Sequence, residues 1–550
     1  MPAVLPVRRV PRTVVGLFFG SLLLLGAGLF RDYGVSWDEP VDRQNGLVSL
    51  RYAAGRLAPA WAARQPRLRG VPNLAGYVDN NHGVLFELPL AWLDVVRPGT
   101  EARTTYLLRH AAVFLVCWAG TWALFGLARL HLRDERLALL AAALLVLSPR
   151  FFAESFYNGK DLVFTALFTV GAYAAARLLA RPTLGRALVA GLATAAATDV
   201  RLLGLLLAPM VLALLAVGGP GPASGFGPNP ASLASRWRAG LAYALAAALG
   251  TVAGWPYLWE SPLAHLLDAW RSLSHFHWGG STMLYLGQQI TDADLPWHYP
   301  LVWLSVTTPL AYQVAGLLGL GVAAAALLRH PRVRLRQPSG QLDALLAGWL
   351  VLPLVLVIGL HSVLYDGWRH LYFIYPALLL LAVRGGQWLW QQRGRSAGWR
   401  ALARGLGGLA AAEAVFTAGR MVAMHPFEQT FFSYLPARQV ERLFERDYWA
   451  LSYRQGLEFV VARQPRGVIA LDVSHVPPLD NNKVWLSAAD RARLVLQPGA
   501  AGRYLITAYR HTPGAYPDTV GREVYAIRAN GVKILSVFWR QRAGSAPPSW

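Results

Sequence analysis

The chain contains very little lysine and cysteine, and little charge for its length. Of its 550 residues, 15% are charged and 55% are hydrophobic. Lysine occurs only at Lys160, Lys483 and Lys533, so almost every basic residue is an arginine. The single cysteine, Cys117, excludes an intrachain disulfide and leaves the redox compartment unassigned. Because a soluble protein does not need so apolar a composition, we expect a polytopic membrane protein.

The formal net charge of +22 does not indicate a nucleic-acid partner. Proteins that bind nucleic acids gather their cations in one patch or tail, whereas the arginines of this chain are dispersed between apolar runs. We therefore expect membrane lipids, and no nucleic acid, among the partners.

Eleven apolar runs predict about eleven transmembrane helices, since the longer runs can each cross a hydrocarbon layer of roughly 30 Å. The first run resembles a signal peptide in its basic start, but no clear small-x-small cleavage site follows it, which favours a retained helix. The two weakest predictions are 185-198 and 202-217. The runs are 13-30, 104-128, 136-152, 161-180, 185-198, 202-217, 239-258, 300-328, 342-360, 371-384 and 400-418.

The distribution of arginine predicts which side of the membrane each connection occupies. Twenty arginines lie before the first run and in every second connection, whereas the opposite short connections carry five basic residues. Because basic residues favour the cytoplasmic side, we expect a cytoplasmic N-terminus. Residues 31-103 and everything after about 419 are then outside, in a protein of the bacterial inner (plasma) membrane.

Three outer segments are longer than simple connections. In the first outer loop, 31-103, we expect interfacial helices after Pro40 and at 84-94. The second, 259-299, is rich in aromatic residues and histidine. The C-terminal part, 419-550, has β-branched stretches at 468-473, 504-509 and 532-538 that predict strands, and a helical pattern over 443-460. We predict a transmembrane catalytic domain over 1-418 and an outer α/β domain over 419-550 that serves as a lid or acceptor platform.

The stretch from Ser36 to Pro40 places two carboxylates, Asp38 and Glu39, just beyond the first apolar run. A membrane enzyme that deprotonates a hydroxyl at the lipid surface needs a base at this position, where the headgroup region keeps an acid hydrated. The alternative is that the pair only caps a helix that starts at Pro40.

Further ionisable residues occur at the outer ends of later apolar runs. Converging charges at one membrane face predict a polar site, in which arginine suits phosphate oxygens because of its forked geometry. The alternative is that each charge ends a helix or pairs with a neighbour, as Asp199 could with Arg201. These residues are Glu154, Lys160, Asp161, Asp199, Arg201, Asp366, Arg369 and His370.

Three motifs resemble the GT-C membrane glycosyltransferases, and most of all glycosyltransferase family 39, the protein mannosyltransferase and aminoarabinose transferase group. The resemblance covers roughly residues 10-420, and the protein O-mannosyltransferase β-trefoil insertion is absent. It implies an inverting transferase that uses a polyprenyl-phosphate sugar as donor, with a glycan, lipid or protein acceptor. The motifs are Asp38-Glu39, the connection from Pro149-Arg150-Phe151 through Glu154-Ser155 to Asn158-Gly159-Lys160-Asp161, and the turn from Arg369 to Pro376.

The chemistry of such a transfer suggests a role for each candidate residue. It requires a base for the acceptor hydroxyl and cations for the departing phosphate. Asp38 is the candidate base, and Glu39 would orient the acceptor or hold a cation. The candidates for the phosphate are Lys160, Arg201 and Arg369, with His370 assisting, and those for the rest of the substrate are Glu154, Asp161 and His82.

No cofactor is required by this chemistry, although a divalent metal is compatible with it. His275, His277 and His298 lack the tight ligand spacing of a metal site. Two other functional classes remain open, a transporter or lipid flippase and a non-catalytic membrane subunit. Ionisable residues that gather at one face, without similar halves or midplane charges, favour the enzyme.

Overall fold

The computed structural model describes residues 9–218, 232–274, 282–292, 294–472, 476–497 and 503–540. Most of these residues are helical, and a small sheet lies near the C-terminal end. The α-helices are α1 (Arg12–Leu29), α2 (Glu39–Leu57), α3 (Pro59–Ala63), α4 (Pro66–Arg69), α5 (Glu87–Val96), α6 (Ala102–Leu132), α7 (Glu135–Val146), α8 (Pro149–Tyr157), α9 (Asp161–Ala180), α10 (Leu184–Thr198), α11 (Leu207–Val217), α12 (Leu233–Gly254), α13 (Pro262–Ser274), α14 (Tyr299–Thr307), α15 (Leu310–Arg329), α16 (Pro331–Leu335), α17 (Pro338–Gly359), α18 (Tyr375–Gln392), α19 (Ala397–Met424), α20 (Ala437–Leu443), α21 (Tyr453–Arg463), α22 (Val476–Asn482) and α23 (Ala488–Arg493).

Each of the eleven apolar runs coincides with helix, and the protein is a polytopic helical membrane protein. In the described part of the chain, six helices are individually long and apolar enough to cross a membrane, namely α1, α6, α9, α15, α17 and α19. The pair α7 and α8 forms a seventh candidate with a bend of 70°. The full count of eleven crossings stays a prediction.

Proline explains why two of the runs are divided. The run 136-152 breaks where Pro149 starts α8, and the run 300-328 breaks where Pro309 precedes α15. Proline is favoured in the first turn of a helix and disfavoured in its interior, where it lacks the amide hydrogen, although α17 accommodates Pro353. A single helix over either run was therefore wrong.

The first outer loop contains the helices that the sequence predicted. Helix α2 begins at Glu39 with Pro40 in its first turn, and α5 covers most of the predicted 84-94 segment. The two helices pack against each other, and Val48 of α2 also contributes to a small core with Trp255 and Leu258. This packing fixes the start of α2, and with it the position of Asp38.

The C-terminal sheet has five strands in the order β4-β3-β5-β7-β6, and a separate hairpin precedes it in the chain. Strand β3 runs parallel to β4 and β5, whereas β7 is antiparallel to β5 and β6. Strands β3, β5 and β7 confirm the three predicted strands, and β1, β2, β4 and β6 were not predicted. The strands are β1 (Thr282–Tyr285), β2 (Gln288–Thr291), β3 (Ile469–Asp472), β4 (Leu494–Gln497), β5 (Tyr504–Ala508), β6 (Arg522–Ala529) and β7 (Val532–Trp539).

The predicted helix over 443-460 was wrong in its first half. Helix α20 ends at Leu443 and α21 begins only at Tyr453. Between them, Asp447 and Ala450 have φ angles of 42° and 59°, which a right-handed helix excludes. The Glu445 amide donates to the Leu284 carbonyl of the hairpin instead.

The C-terminal part is seated on the first outer loop. Asn482 accepts a hydrogen bond from the Val35 amide at 2.9 Å and donates one to the Val35 carbonyl at 3.0 Å. Arg454 donates to the carbonyls of Arg31 and Tyr33. These contacts hold the chain immediately before Asp38 against the sheet domain. The long helix α19 ends at Met424, slightly beyond the predicted domain boundary, and the division at 418 stays a prediction.

Candidate functional site

Asp38 lies directly before α2 but does not cap it. Its side chain makes no hydrogen bond to the first amides of the helix. The Asp38 Oδ2 instead accepts a hydrogen bond from Nη1 of Arg369 at 2.6 Å. The Asp38 side chain is 35% exposed, whereas that of Arg369 is 4% exposed. The capping interpretation of Asp38 therefore fails, and the carboxylate faces open space with a buried guanidinium behind it.

Arg369 is the centre of the charged group. Its Nη1 also donates to Asp161 Oδ2 at 3.3 Å, and its Nη2 lies 3.5 Å from Asp366 Oδ2. The guanidinium lies 4.9 Å from the ring centres of both Tyr365 and Trp449. Only an arginine can serve several carboxylates and two aromatic faces at once, because its planar group carries five donors.

Two further cations complete this region. Arg201 forms an ion pair with Asp161, the first residue of α9. Lys160 Nζ lies 3.9 Å from Asp42 Oδ1, which is too long for a hydrogen bond. The structure thus brings Asp38, Asp161, Arg201 and Arg369 into one contiguous cluster, hereafter the Asp38 cluster, with Lys160 beside it.

The charges of the cluster act on the pKa values of their neighbours. Burial alone would raise the pKa of Asp38, but Arg369 and Lys160 outweigh it and lower that pKa. Burial and the charges of Arg201 and Arg369 lower the pKa of His370 well below its usual value. Asp38 is consequently ionised and His370 neutral at neutral pH, which makes the former an acceptor of protons.

A cavity of about 360 Å³ opens in front of Asp38 and Arg369. Its wall has two origins, since the helical part and the C-terminal domain both contribute side chains. Aromatic faces and charges together are typical of sites that bind polar organic ligands. The helical part supplies Trp37, Asp38, Tyr365, Asp366 and Arg369, and the C-terminal part supplies Asp447, Ala450, Tyr453, Pro478, Ala508, Arg510 and His511.

Comparison with known proteins identifies no family. No protein-family model matches the chain, and no curated protein matches it. Among solved structures, the chain is similar to the crystal structure of ArnT from Cupriavidus metallidurans in the apo state. The identity is 13%, the match covers 96% of this chain and 98% of that one, and the TM-score is 0.46. A likeness at this level supports no statement about function.

Only Asp38 and Arg369 of the nine predicted site residues line this cavity. Asp161 and Arg201 belong to the Asp38 cluster, Lys160 lies beside it, and the His370 ring packs edge-on against Tyr365 with 4.6 Å between the ring centres.

The other three predicted site residues lie elsewhere. Glu39 is buried, accepts a hydrogen bond from the Ser36 amide at 2.7 Å and lies 3.0 Å from Nε2 of His110. His82 lies beside Lys160 in a separate, much smaller pocket. Glu154 is fully buried behind Asp161. Their predicted contacts with substrate stay predictions, and the structure gives Glu39 and Glu154 protein partners.

The alternative in which Asp199 pairs with Arg201 does not hold. Arg201 pairs with Asp161, and the buried Asp199 Oδ1 has no hydrogen-bond partner among the described residues. Burial raises the pKa of Asp199 to about 9. Its backbone carbonyl accepts a hydrogen bond from the Leu85 amide, so this residue joins the first outer loop to the end of α10.

The sequence did not single out Arg510 and His511 as site residues. Arg510 forms an ion pair with Asp366, and its guanidinium lies 5.8 Å from the Trp37 ring. Both residues lie within three positions of the end of β5, a strand that the sequence did predict. The sequence did show a cation and a histidine at the end of a predicted strand in the outer domain. Nothing in the sequence indicated that this end of the strand faces Asp38.

The described residues contain no group of three or more His, Cys, Asp or Glu side chains that could hold a metal ion. Of the histidines considered for metal binding, His275 and His277 lie outside the described residues. The Nδ1 of His298 lies 2.7 Å from the Tyr285 hydroxyl. A divalent metal at this site stays untested.

Proposed function

We propose that the protein is an inverting glycosyltransferase that moves a sugar from a polyprenyl-phosphate donor to a hydroxyl acceptor at the outer membrane face. The observation that carries this proposal is the Asp38 cluster, in which a partly exposed carboxylate and a buried arginine share the wall of one cavity. The motifs that resemble glycosyltransferase family 39 supply Asp38, Asp161 and Arg369 of this cluster.

Asp38 acts as the general base in this reaction. It takes the proton of the acceptor hydroxyl while the acceptor oxygen forms a bond to the anomeric carbon of the sugar. The bond from that carbon to the phosphate oxygen breaks, and its electron pair leaves with the polyprenyl phosphate. A positioned base contributes about 10²- to 10⁴-fold to such a step.

Arg369 and Arg201 receive the negative charge of the departing phosphate, and Lys160 adds to the positive potential. Each guanidinium is already held by Asp161, so the cations are in place before the donor arrives. A phosphate that engages Arg369 competes with Asp38 for the same nitrogen. Donor binding therefore weakens the pairing of Asp38 and increases its affinity for a proton.

Transfer from radiolabelled polyprenyl-phosphate sugars by purified protein in lipid nanodiscs tests the proposal. We expect label to leave the lipid, and Asp38→Asn to reduce this transfer by about a thousandfold because the amide cannot accept the proton. Asp518→Asn is the matched control, since Asp518 is exposed in the C-terminal domain and does not line the cavity. Asp38→Asn with near-normal turnover removes Asp38 from the role of base.

The same assay separates the transferase from the other functional classes. A transporter or flippase moves the intact lipid-linked sugar across the membrane and leaves its bond to phosphate unbroken. A non-catalytic subunit releases no label at all. Release of no label from any lipid-linked sugar in the presence of glycan, lipid and protein acceptors contradicts the proposal.

A further inference from the structure

The strongest feature that the proposed reaction does not use is a hydrogen-bonded chain behind the Asp38 cluster. Asn158 lies between α8 and α9 and is 3% exposed. Its Nδ2 donates to Glu154 Oε2 at 2.8 Å and to Asp161 Oδ2 at 3.2 Å. Its Oδ1 accepts from the Asp161 amide at 2.7 Å and from the Lys160 amide at 3.3 Å. All the hydrogen-bonding groups of this amide are engaged.

The partners of Asn158 determine which way its amide faces. The opposite orientation would turn a carbonyl oxygen towards two carboxylates and an NH₂ group towards two amide hydrogens. Both contacts are repulsive, so the side-chain orientation is fixed by its surroundings. Asn158 thus presents a donor to the Asp161 carboxylate from the side opposite the cavity.

Glu154 holds Asn158 in this position. Its Oε1 accepts hydrogen bonds from the Tyr372 hydroxyl at 2.9 Å and the Tyr448 hydroxyl at 3.1 Å. Tyr448 belongs to the loop between α20 and α21, which also provides Trp449 for the guanidinium of Arg369. Glu154 therefore ties Asn158 to the same loop that closes over the site.

Asp161 connects Asn158 to the two arginines of the cluster. Its Oδ2 accepts from both Asn158 and Arg369, and its Oδ1 pairs with Arg201. Loss of the Asn158 donor would let this carboxylate rotate, and both guanidinium groups would lose their common anchor. A misplacement of about 1 Å in such a group can reduce a rate about a hundredfold.

We propose that Asn158 is a positioning residue: it orients the Asp161 carboxylate, which then holds Arg369 and Arg201 where the donor phosphate binds. This rests on the proposed function for the identity of the ligand. Glu154, predicted from the sequence to bind substrate, serves here as the support of Asn158.

The substitution Asn158→Asp separates positioning from simple helix capping. An aspartate has the same shape and is a good cap, so it preserves the acceptor for the amides of Lys160 and Asp161. It cannot donate to the carboxylates of Glu154 and Asp161. If Asn158 only caps α9, the variant will behave as the wild type, and if it orients Asp161, the variant will lose phosphate binding.

Two measurements in nanodiscs are required, namely the Kd for sugar-free polyprenyl phosphate and the KM and kcat for the labelled donor. We expect Asn158→Asp to raise both Kd and KM about tenfold or more, as for loss of a charge-assisted hydrogen bond, with a smaller change in kcat. Asn80→Asp is the control for the added charge, because the Asn80 side chain is engaged, among the described residues, in one weak hydrogen bond to the Ala75 carbonyl at 3.4 Å.

Lowering the pH provides a rescue that a folding defect would not show. A protonated carboxyl at position 158 regains a donor, so the difference in Kd between Asn158→Asp and the wild type should shrink from pH 8 to pH 6. The charged groups around this position are Glu154, Asp161 and Lys160, with Arg369 and Arg201 beyond Asp161.

The outcomes distinguish the two proposals. Wild-type affinity for polyprenyl phosphate in Asn158→Asp, or no binding of this lipid by the wild type, overturns the positioning role whether or not sugar is transferred. Binding that depends on Asn158 in a protein that transfers no sugar supports the positioning role and contradicts only the transferase. Asn158→Ala, which removes the cap as well, should bind the lipid no better than Asn158→Asp.

Discussion

Two buried groups of charged side chains lie at opposite ends of the helical part, and they differ in which member is exposed. One is the Asp38 cluster. The other, hereafter the Asp343 cluster, comprises His131, Asp343 and Arg384. Helix α6 links the two ends, because His110 contacts Glu39 and His131 contacts Asp343. These histidines are separated by 21 positions, or roughly 30 Å along a helix, which is the thickness of a hydrocarbon layer.

In the Asp343 cluster, the carboxylate is inaccessible. Asp343 is 1% exposed and accepts a hydrogen bond from Arg384 at 2.8 Å, while Arg384 is 20% exposed. In the Asp38–Arg369 pair the order is reversed, since the arginine is 4% exposed and the carboxylate 35% exposed. The buried Asp343 carboxylate cannot meet a substrate, whereas the partly exposed Asp38 carboxylate, backed by a buried arginine, can. Ion pairing alone therefore does not identify a site.

The largest expected difference between the clusters follows from replacing each arginine by lysine. Arg369→Lys should reduce sugar transfer at least about a hundredfold, because a single ammonium cannot reach Asp38, Asp161 and a phosphate together. Arg384→Lys should leave turnover within about twofold, since it touches no group of the site, and should lower the thermal midpoint instead. Turnover and thermal unfolding of both variants in detergent provide the measurement.

Equal effects of the two lysine variants on turnover would remove the distinction between the clusters. Arg369→Lys also lowers stability, because breaking a buried ion pair costs about 3–5 kcal/mol. The loss of turnover is therefore assigned to the site only if the thermal midpoint of Arg369→Lys is no lower than that of Arg384→Lys.

A smaller effect is expected where the C-terminal domain touches the Asp38 cluster. Arg510 pairs with Asp366, which also lies 3.5 Å from Arg369. Arg510→Gln removes this pairing and should reduce kcat/KM roughly tenfold, as for one charge-assisted hydrogen bond. The measurement is donor-dependent transfer at saturating acceptor.

Arg503→Gln is the matched control for Arg510→Gln. Arg503 precedes β5 and Arg510 follows it, so the two residues lie at opposite ends of one strand. Only the second end lines the cavity. Equal kinetics for the two variants would show that the domain covers the site without taking part in it.

Most of the helical architecture could be predicted from the sequence, because apolar runs and membrane crossing depend on local composition. The breaks at Pro149 and Pro309 were not predicted. Both prolines are present in the sequence, but each lies in an apolar run that is long enough to be taken as one helix. Strands β4 and β6 were missed because their burial is uneven and neither shows a long β-branched stretch. The loop after Leu443 was read as helix because its left-handed residues are not glycines.

The candidate site was partly predictable for a topological reason. Consecutive spans alternate in direction, so residues at alternate connections share one face, and this brought Asp161, Arg201 and Arg369 to Asp38. The partners within that face were not predictable. Glu39 adjoins Asp38 in sequence yet turns towards His110, and Arg510 reaches the cavity only because the sheet domain is seated on the first outer loop.

The smallest effect on turnover is expected at Glu445, a carboxylate next to the Asp38 cluster that is buried like Asp343 but accepts no hydrogen bond from an arginine of the described residues. Within the part of the chain that the structure describes, neither of its carboxylate oxygens has a hydrogen-bond partner. Burial, and then the charge of Asp366, raise the pKa of Glu445 to about 8, against the opposing charges of Arg510 and Arg150. Between the unfolded and folded pKa values, the folded protein binds one more proton than the unfolded chain.

The wild type should therefore lose stability as the pH rises from about 4.5 to about 8, by up to about 1.4 kcal/mol per pH unit from this residue. Glu445→Gln keeps the neutral form at every pH, so its unfolding free energy should fall less steeply over that range and exceed that of the wild type above pH 8. Chemical unfolding of the C-terminal domain between pH 5 and pH 9 measures the difference. Glu458→Gln, at a side chain that is 45% exposed, should leave the slope unchanged. If the unfolding free energies of wild type and Glu445→Gln change with pH in parallel, the pKa of Glu445 is the same in the folded and unfolded protein. The position of Glu445 beside Asp366 then adds no electrostatic cost to packing the C-terminal domain against the site.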